Sequence, residues 1–113
     1  MLTKRAVDRL DWGACKPDHW DAERKNAVYL LPVFAGANEV PKKRQERHER
    51  IAKFAANIVV KGALNLPKGA TQTLVFDMRG QGLSSANAER LRFEVVRRIP
   101  KAIASTVSIE LRS

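Results

Sequence analysis

Residues Leu66 to Gln81 read LPKGATQTLVFDMRGQ, and this stretch decides the fold. A turn signal, Pro67 to Gly69, is followed by an apolar, β-branched and aromatic run, and the run ends in charged residues and glycine. That order is the signature of a β-strand bounded by turns. Strand alternation places Gln72, Leu74, Phe76 and Met78 on one face and Thr71, Thr73, Val75, Asp77 and Arg79 on the other. The first set reads as core. The second is a candidate site at the strand's end, where Asp77, Arg79 and Gln81 precede Gly82. The plain alternative is a solvated Asp77–Arg79 ion pair before a glycine turn.

Outward from this strand, Pro41 is well placed as the first residue of a long helix to about Leu64, with an apolar stripe of Ile51, Phe54, Ala55 and Ile58. A further helix is expected from about Ser85 to Ile99, stopped by Pro100. A last strand spans Thr106 to Arg112, alternating Val107, Ile109 and Leu111 with polar residues. Toward the N-terminus, Leu2 to Trp12 reads as a short amphipathic helix and Gly13 to Asp18 as a loop. A second helix is expected from Asp18 or Asp21 through Leu31 to Pro32, with a strand over Val28 to Phe34 as the competing assignment. Gly36 to Val40 is a connector.

The expected fold is α+β: N-terminal helices over residues 1–40, then a helix-strand-helix-strand core over 41–113, the helices covering one face of a small twisted sheet. Two strands rarely stand alone, so Val28 to Phe34 is the first source of a third. The 113 residues suit one domain with a single modest core, since domains cluster at about 100–150 residues.

Lys and Arg number 21 against 12 Asp and Glu, a formal net charge of +9, and the pI is about 10.3. Such a balance suits a polyanionic partner, nucleic acid before anionic membrane. No run approaches the roughly 20 apolar residues that span a bilayer. The opening MLTKRAVDRL lacks the apolar core of a signal peptide. The lone cysteine, Cys15, leaves no internal disulfide and no cysteine-based zinc site.

The densest charge is PKKRQERHERIAKF, residues 41–54, where Lys42, Lys43, Arg44, Arg47, Arg50 and Lys53 face only Glu46 and Glu49. Extended toward the N-terminus, the apolar stripe of this helix lands on Arg44, Arg47 and His48. The expectation is a cleft in which the helix start overhangs the Thr73–Asp77–Arg79 strand face; the alternative is a solvated, charge-rich helix start.

Metal-free RNA cleavage needs a group to take the 2′-hydroxyl proton, one to protonate the leaving oxygen, and cations to hold the phosphate. His48, Arg47, Arg79 and Lys68 offer these, Thr73 adds a hydroxyl donor, and Asp77 fixes an Arg or His. Lys42, Lys43, Arg44, Lys68 and Gln81 are the expected RNA-binding residues. No cofactor is expected. His19, between Trp12 and Trp20, is the rival histidine; packing near the tryptophans is its simpler role. A second chemistry is a Mg²⁺-dependent nuclease toxin acting on DNA, built on Asp18, Glu23 and Lys25, although carboxylates that bind Mg²⁺ normally converge from neighbouring strands. A third reading is a non-catalytic RNA-binding module that uses the same cations.

The motif LPKGATQTLVFDMRGQ, followed by a helix and the strand STVSIELRS, resembles the C-terminal end of bacterial polymorphic toxin domains, in particular the contact-dependent growth inhibition nuclease toxins. The likeness covers about the last 48 residues; Asp77, Arg79, Gly80 and Gln81 are its most specific part. It implies an effector domain carried by a large secreted cell-surface protein, acting in the cytoplasm of a target bacterium. It also implies a cognate immunity protein, tRNA as a frequent substrate, and the small scaffold of barnase-like, colicin-like or RelE-like ribonucleases. The immunity protein is expected to be acidic and to plug the cleft.

Overall fold

A computed structural model describes residues 17–33, 40–81 and 83–112. The expected helix over Leu2 to Trp12, Cys15 and most of the Gly36–Val40 connector lie outside the described residues. In chain order the elements are β1 (His19–Asp21), β2 (Asn26–Pro32), α1 (Pro41–Asn65), β3 (Thr71–Asp77), α2 (Ser85–Val96), the single turn α3 (Lys101–Ala104) and β4 (Val107–Arg112). The fold is α+β, with one four-stranded mixed sheet in the order β1-β2-β3-β4. β1 and β2 form an antiparallel hairpin, whereas β2, β3 and β4 are parallel.

The hairpin replaces the helix expected over Asp18 to Leu31. Asp21 does bind backbone amides as a helix cap would, accepting from Glu23 N and Arg24 N at 3.1 and 3.2 Å. Those bonds close the β1–β2 turn instead, with Lys25 at φ 50°. The run NAVYLLP fits either period; pairing with β3 along all seven residues, Asn26 with Thr71 through Pro32 with Asp77, decides for strand.

Parallel neighbours require crossovers, and α1 and α2 supply them. One hydrophobic cluster joins the elements: Ala27, Tyr29 and Val33 of β2 and its end, Ala52, Ala55, Ile58 and Val59 of α1, Leu74, Phe76 and Met78 of β3 and its end, and Ala88, Leu91 and Val95 of α2. The Gln72–Leu74–Phe76–Met78 face of β3 is therefore the helix-covered one. On α1 the buried stripe is rotated from the expected one, running through His48, Ala52, Ala55, Ala56, Ile58, Val59 and Gly62, and Phe54 is 60% exposed.

Small residues on that stripe let the helix approach the sheet. Gln72 is 2% exposed; it donates through Nε2 to the Val59 carbonyl at 2.9 Å and accepts from the Tyr29 hydroxyl at 2.9 Å. A β-carbon at Gly62 would lie 2.0 Å from Gln72 Oε1 and 2.7 Å from the Tyr29 hydroxyl. Glycine is needed here for space.

Candidate nucleic-acid interface

Because β2, β3 and β4 are parallel, their carboxyl ends share one edge, and α1 and α2 both begin there. The strand order has no reversal of the kind at which doubly wound parallel sheets bind ligands, so the residues at this edge single it out. Register aligns Pro32, Asp77 and Arg112 across it. Lys42 and Lys43, both exposed, and half-buried Arg44 open α1 at the same end. The first turn of α1 contains no acidic residue and Val40 supplies no side-chain cap.

Asp77 and Arg79 form the fixed element of this edge. The Arg79 guanidinium donates through Nε to Asp77 Oδ1 at 2.9 Å and through Nη2 to Oδ2 at 2.8 Å, and the Arg79 amide adds a third bond to Oδ1 at 3.1 Å. The chain then turns through Gly80 at φ 77°, which suits glycine, and Gln81 N donates to the Met78 carbonyl at 3.2 Å. The Arg79 side chain, followed by its amide and with Arg112 contributing charge, lowers the Asp77 pKa from 3.8 to about 2. Asp77 in turn raises the pKa of Arg79. A carboxylate so acidic is a poor base near neutrality; it orients Arg79.

The face opposite the helices carries, in rows across β1 to β4, Asp21, Asn26 and Thr71; His19, Val28, Thr73 and Ser108; Leu30, Val75 and Glu110; then Pro32, Asp77 and Arg112. Most are exposed or half-exposed, Val75 being buried. Thr73 exchanges hydrogen bonds with Asn26, at 3.2 and 3.3 Å, and Asn26 also donates to Thr71 Oγ1 at 2.8 Å.

The expected residues thus separate into groups. Lys42, Lys43, Arg44, Asp77, Arg79 and Gln81 come to the carboxyl edge. Thr73 lies on the outer face, nearer its other end. Lys68, exposed in the turn closed by Ala70 N and the Pro67 carbonyl, precedes β3 at the opposite edge. Arg47 is half-buried on α1, and His48 is 1% exposed. The expected overhang of α1 above the Thr73–Asp77 face does not form: the stripe that continues into His48 packs on the other side of the sheet. His19 is the exposed histidine, level with Thr73 and two strands away, about 10 Å.

Asp18 and Glu23 do not converge. Asp18 Oδ2 accepts from Leu30 N at 2.7 Å, and Glu23 sits in the β1–β2 turn. Arg112 and Asn26 were missed by sequence reading, because strand register brings them beside Asp77 and Thr73 and register is not visible in one strand's sequence. Among the described residues no helix is long and apolar enough to cross a membrane. No family model, curated protein or solved structure matches the chain.

Proposed function

We propose that this chain is a ribonuclease toxin domain that cuts RNA, tRNA foremost, by attack of a 2′-hydroxyl on the adjacent phosphate, without a metal. The observation that carries the reading is the carboxyl edge, where Arg79 is held by Asp77 beside Arg112 and where α1 begins with Lys42, Lys43 and Arg44, in a chain of net charge +9. The RNA strand lies along β3 on the outer face. Arg79, Arg112, Lys42, Lys43 and Arg44 take its phosphates at the carboxyl edge. His19, with Thr73 on the same row, handles the reacting ribose: its imidazole takes the 2′-hydroxyl proton as the oxygen attacks phosphorus, and a water on the opposite side protonates the departing 5′-oxygen. His48 and Arg47 support α1 from within.

The likeness of LPKGATQTLVFDMRGQ to contact-dependent growth inhibition toxins supports delivery by a larger secreted protein into a target cell, and a barnase-like, colicin-like or RelE-like scaffold. It also supports an acidic immunity protein that covers the cationic edge, where opposite charge would speed encounter. His19→Ala and Arg79→Ala test the assignment. The first should abolish cleavage while RNA affinity stays within about twofold, and the second should weaken both. Unchanged cleavage in His19→Ala would remove the histidine from the mechanism.

The roughly 13 Å along the strand between the Thr73 row and the Asp77 row favours a second reading, a non-catalytic RNA-binding module. It predicts binding with no cleavage by any variant, wild type included.

A further inference from the structure

The two edges of the sheet are treated differently. On the β2 side, β1 covers Asn26 to Val28, the Asp18 carboxylate takes the next free amide, that of Leu30, and Pro32 has no amide to offer. These are standard protections of a strand edge. β4, the other edge among the described residues, has none of them. It runs six residues, VSIELR, without proline, lysine or bulge, in unbroken register with β3 from Val107 opposite Gln72 to Arg112 opposite Asp77.

Gln72 N donates to the Thr106 carbonyl and Met78 N to the Arg112 carbonyl. Strand alternation therefore turns the even-numbered backbone groups of β4 toward β3, and the amides and carbonyls of Val107, Ile109 and Leu111 outward. Their side chains, on the helix side, are half-buried. Beside them a groove of about 390 Å³ opens between β4 and the start of α2, lined by Leu83, Ser84, Ala88, Glu89, Arg92 and Leu111.

We infer that β4 accepts an added β-strand from an acidic partner protein, its backbone pairing with Val107, Ile109 and Leu111. Carboxylates of that strand meet Arg92 on the groove side and Arg112 on the outer face, side chains each 42% exposed, in exchange for their own partners Glu89, at 3.7 Å, and Glu110, at 3.3 Å. The net charge of +9 selects the occupant: a second copy of this chain would bring like charge together, whereas an acidic strand lowers the potential. The inference holds whether or not the chain cleaves RNA.

Hydrogen exchange of the β4 amides in the full chain, with a blocked peptide alternating valine and glutamate as probe, tests this. The expected result in the free chain is fast exchange at Val107, Ile109 and Leu111 and slow exchange at Ser108, Glu110 and Arg112. Saturating peptide should slow the three odd-numbered amides roughly tenfold or more, while an N-methylated version and one with lysine for glutamate should not. Ile109→Pro removes one outward donor without touching those given to β3, and should lose the peptide while keeping the even-numbered protection. Protection of the odd-numbered amides in the free chain, concentration-dependent protection with dimers in sedimentation, or equal action of the lysine peptide would each overturn the inference.

Discussion

Asp77 grips Arg79 through both carboxylate oxygens, at 2.9 and 2.8 Å, and through the Arg79 amide, at 3.1 Å, so the guanidinium is held in place at the carboxyl end of β3. A free surface arginine would sample many rotamers and lose that freedom on binding. Here part of the ordering has already occurred. Asp77→Asn keeps the shape and removes the charge that fixes the guanidinium. Single-turnover cleavage should fall about tenfold, while RNA affinity at low salt holds or rises because net charge increases. A parallel loss of affinity would show that Asp77 supports binding and does not position Arg79.

The cations at the two edges of the sheet should behave differently toward RNA. Lys42→Ala, Lys43→Ala and Arg112→Ala should each lower the slope of log affinity against log salt by about 0.7, the single-strand value per phosphate contact. Lys68→Ala, at the opposite edge, should leave the slope unchanged. Equal effects at both edges would indicate diffuse attraction with no defined track.

The close approach of α1 to the sheet makes Gly62 intolerant of a side chain. Gly62→Ala should destabilise the fold by about 1–3 kcal/mol in denaturant titration, because the new carbon meets Gln72 Oε1 and the Tyr29 hydroxyl. Gly62→Ala combined with Gln72→Ala should cost less than the sum of the two single changes.

Acid should weaken the structure in two steps of known sign. Asp77, with its pKa lowered from 3.8 to about 2, contributes stability that is complete above the ordinary carboxylate range and is lost as pH falls toward 2. Glu94, 6% exposed, is bonded chiefly by Arg98, with Arg97 at 3.5 Å, and its pKa is lowered too. Chemical denaturation between pH 5 and 2 should show stability falling in the wild type and a shallower fall in Asp77→Asn and in Glu94→Gln. A wild-type slope retained in both variants would assign the acid sensitivity elsewhere.

His48 is buried, so its replacement should act on stability. His48→Leu, of similar volume, should leave cleavage per folded molecule unchanged while shifting the unfolding midpoint. Abolished cleavage in a stably folded His48→Leu would return the histidine to the mechanism.

Much of this was legible in the sequence. The strand through Thr71 to Asp77 and its division into a core face with Gln72 and an outer face with Thr73 follow from alternation alone, and Pro41 opens α1 as expected; α2 begins at Ser85 but ends at Val96, three residues before the expected Ile99. The β1–β2 hairpin was not legible, because Asp21 caps a turn with the same chemistry that would cap a helix, and the pairing of NAVYLLP with β3 is a tertiary fact. The position of His48 shows the converse error. Of the three residues onto which the expected stripe of α1 extends, His48 alone lies on the true buried stripe and is carried into the core, while Arg44 and Arg47 stay half-buried. The accessible histidine, His19, lies on a short strand whose sequence also fits a loop and a helix start.

The most direct test is to incubate the purified chain with total bacterial RNA in EDTA and map every new end. Discrete tRNA fragments with 2′,3′-cyclic phosphate ends, lost in His19→Ala, are the predicted result. Intact RNA in EDTA, cut only once Mg²⁺ is restored, would contradict the account and return attention to Asp18, Glu23 and Lys25; RNA left intact in both conditions would contradict it in favour of a binding module.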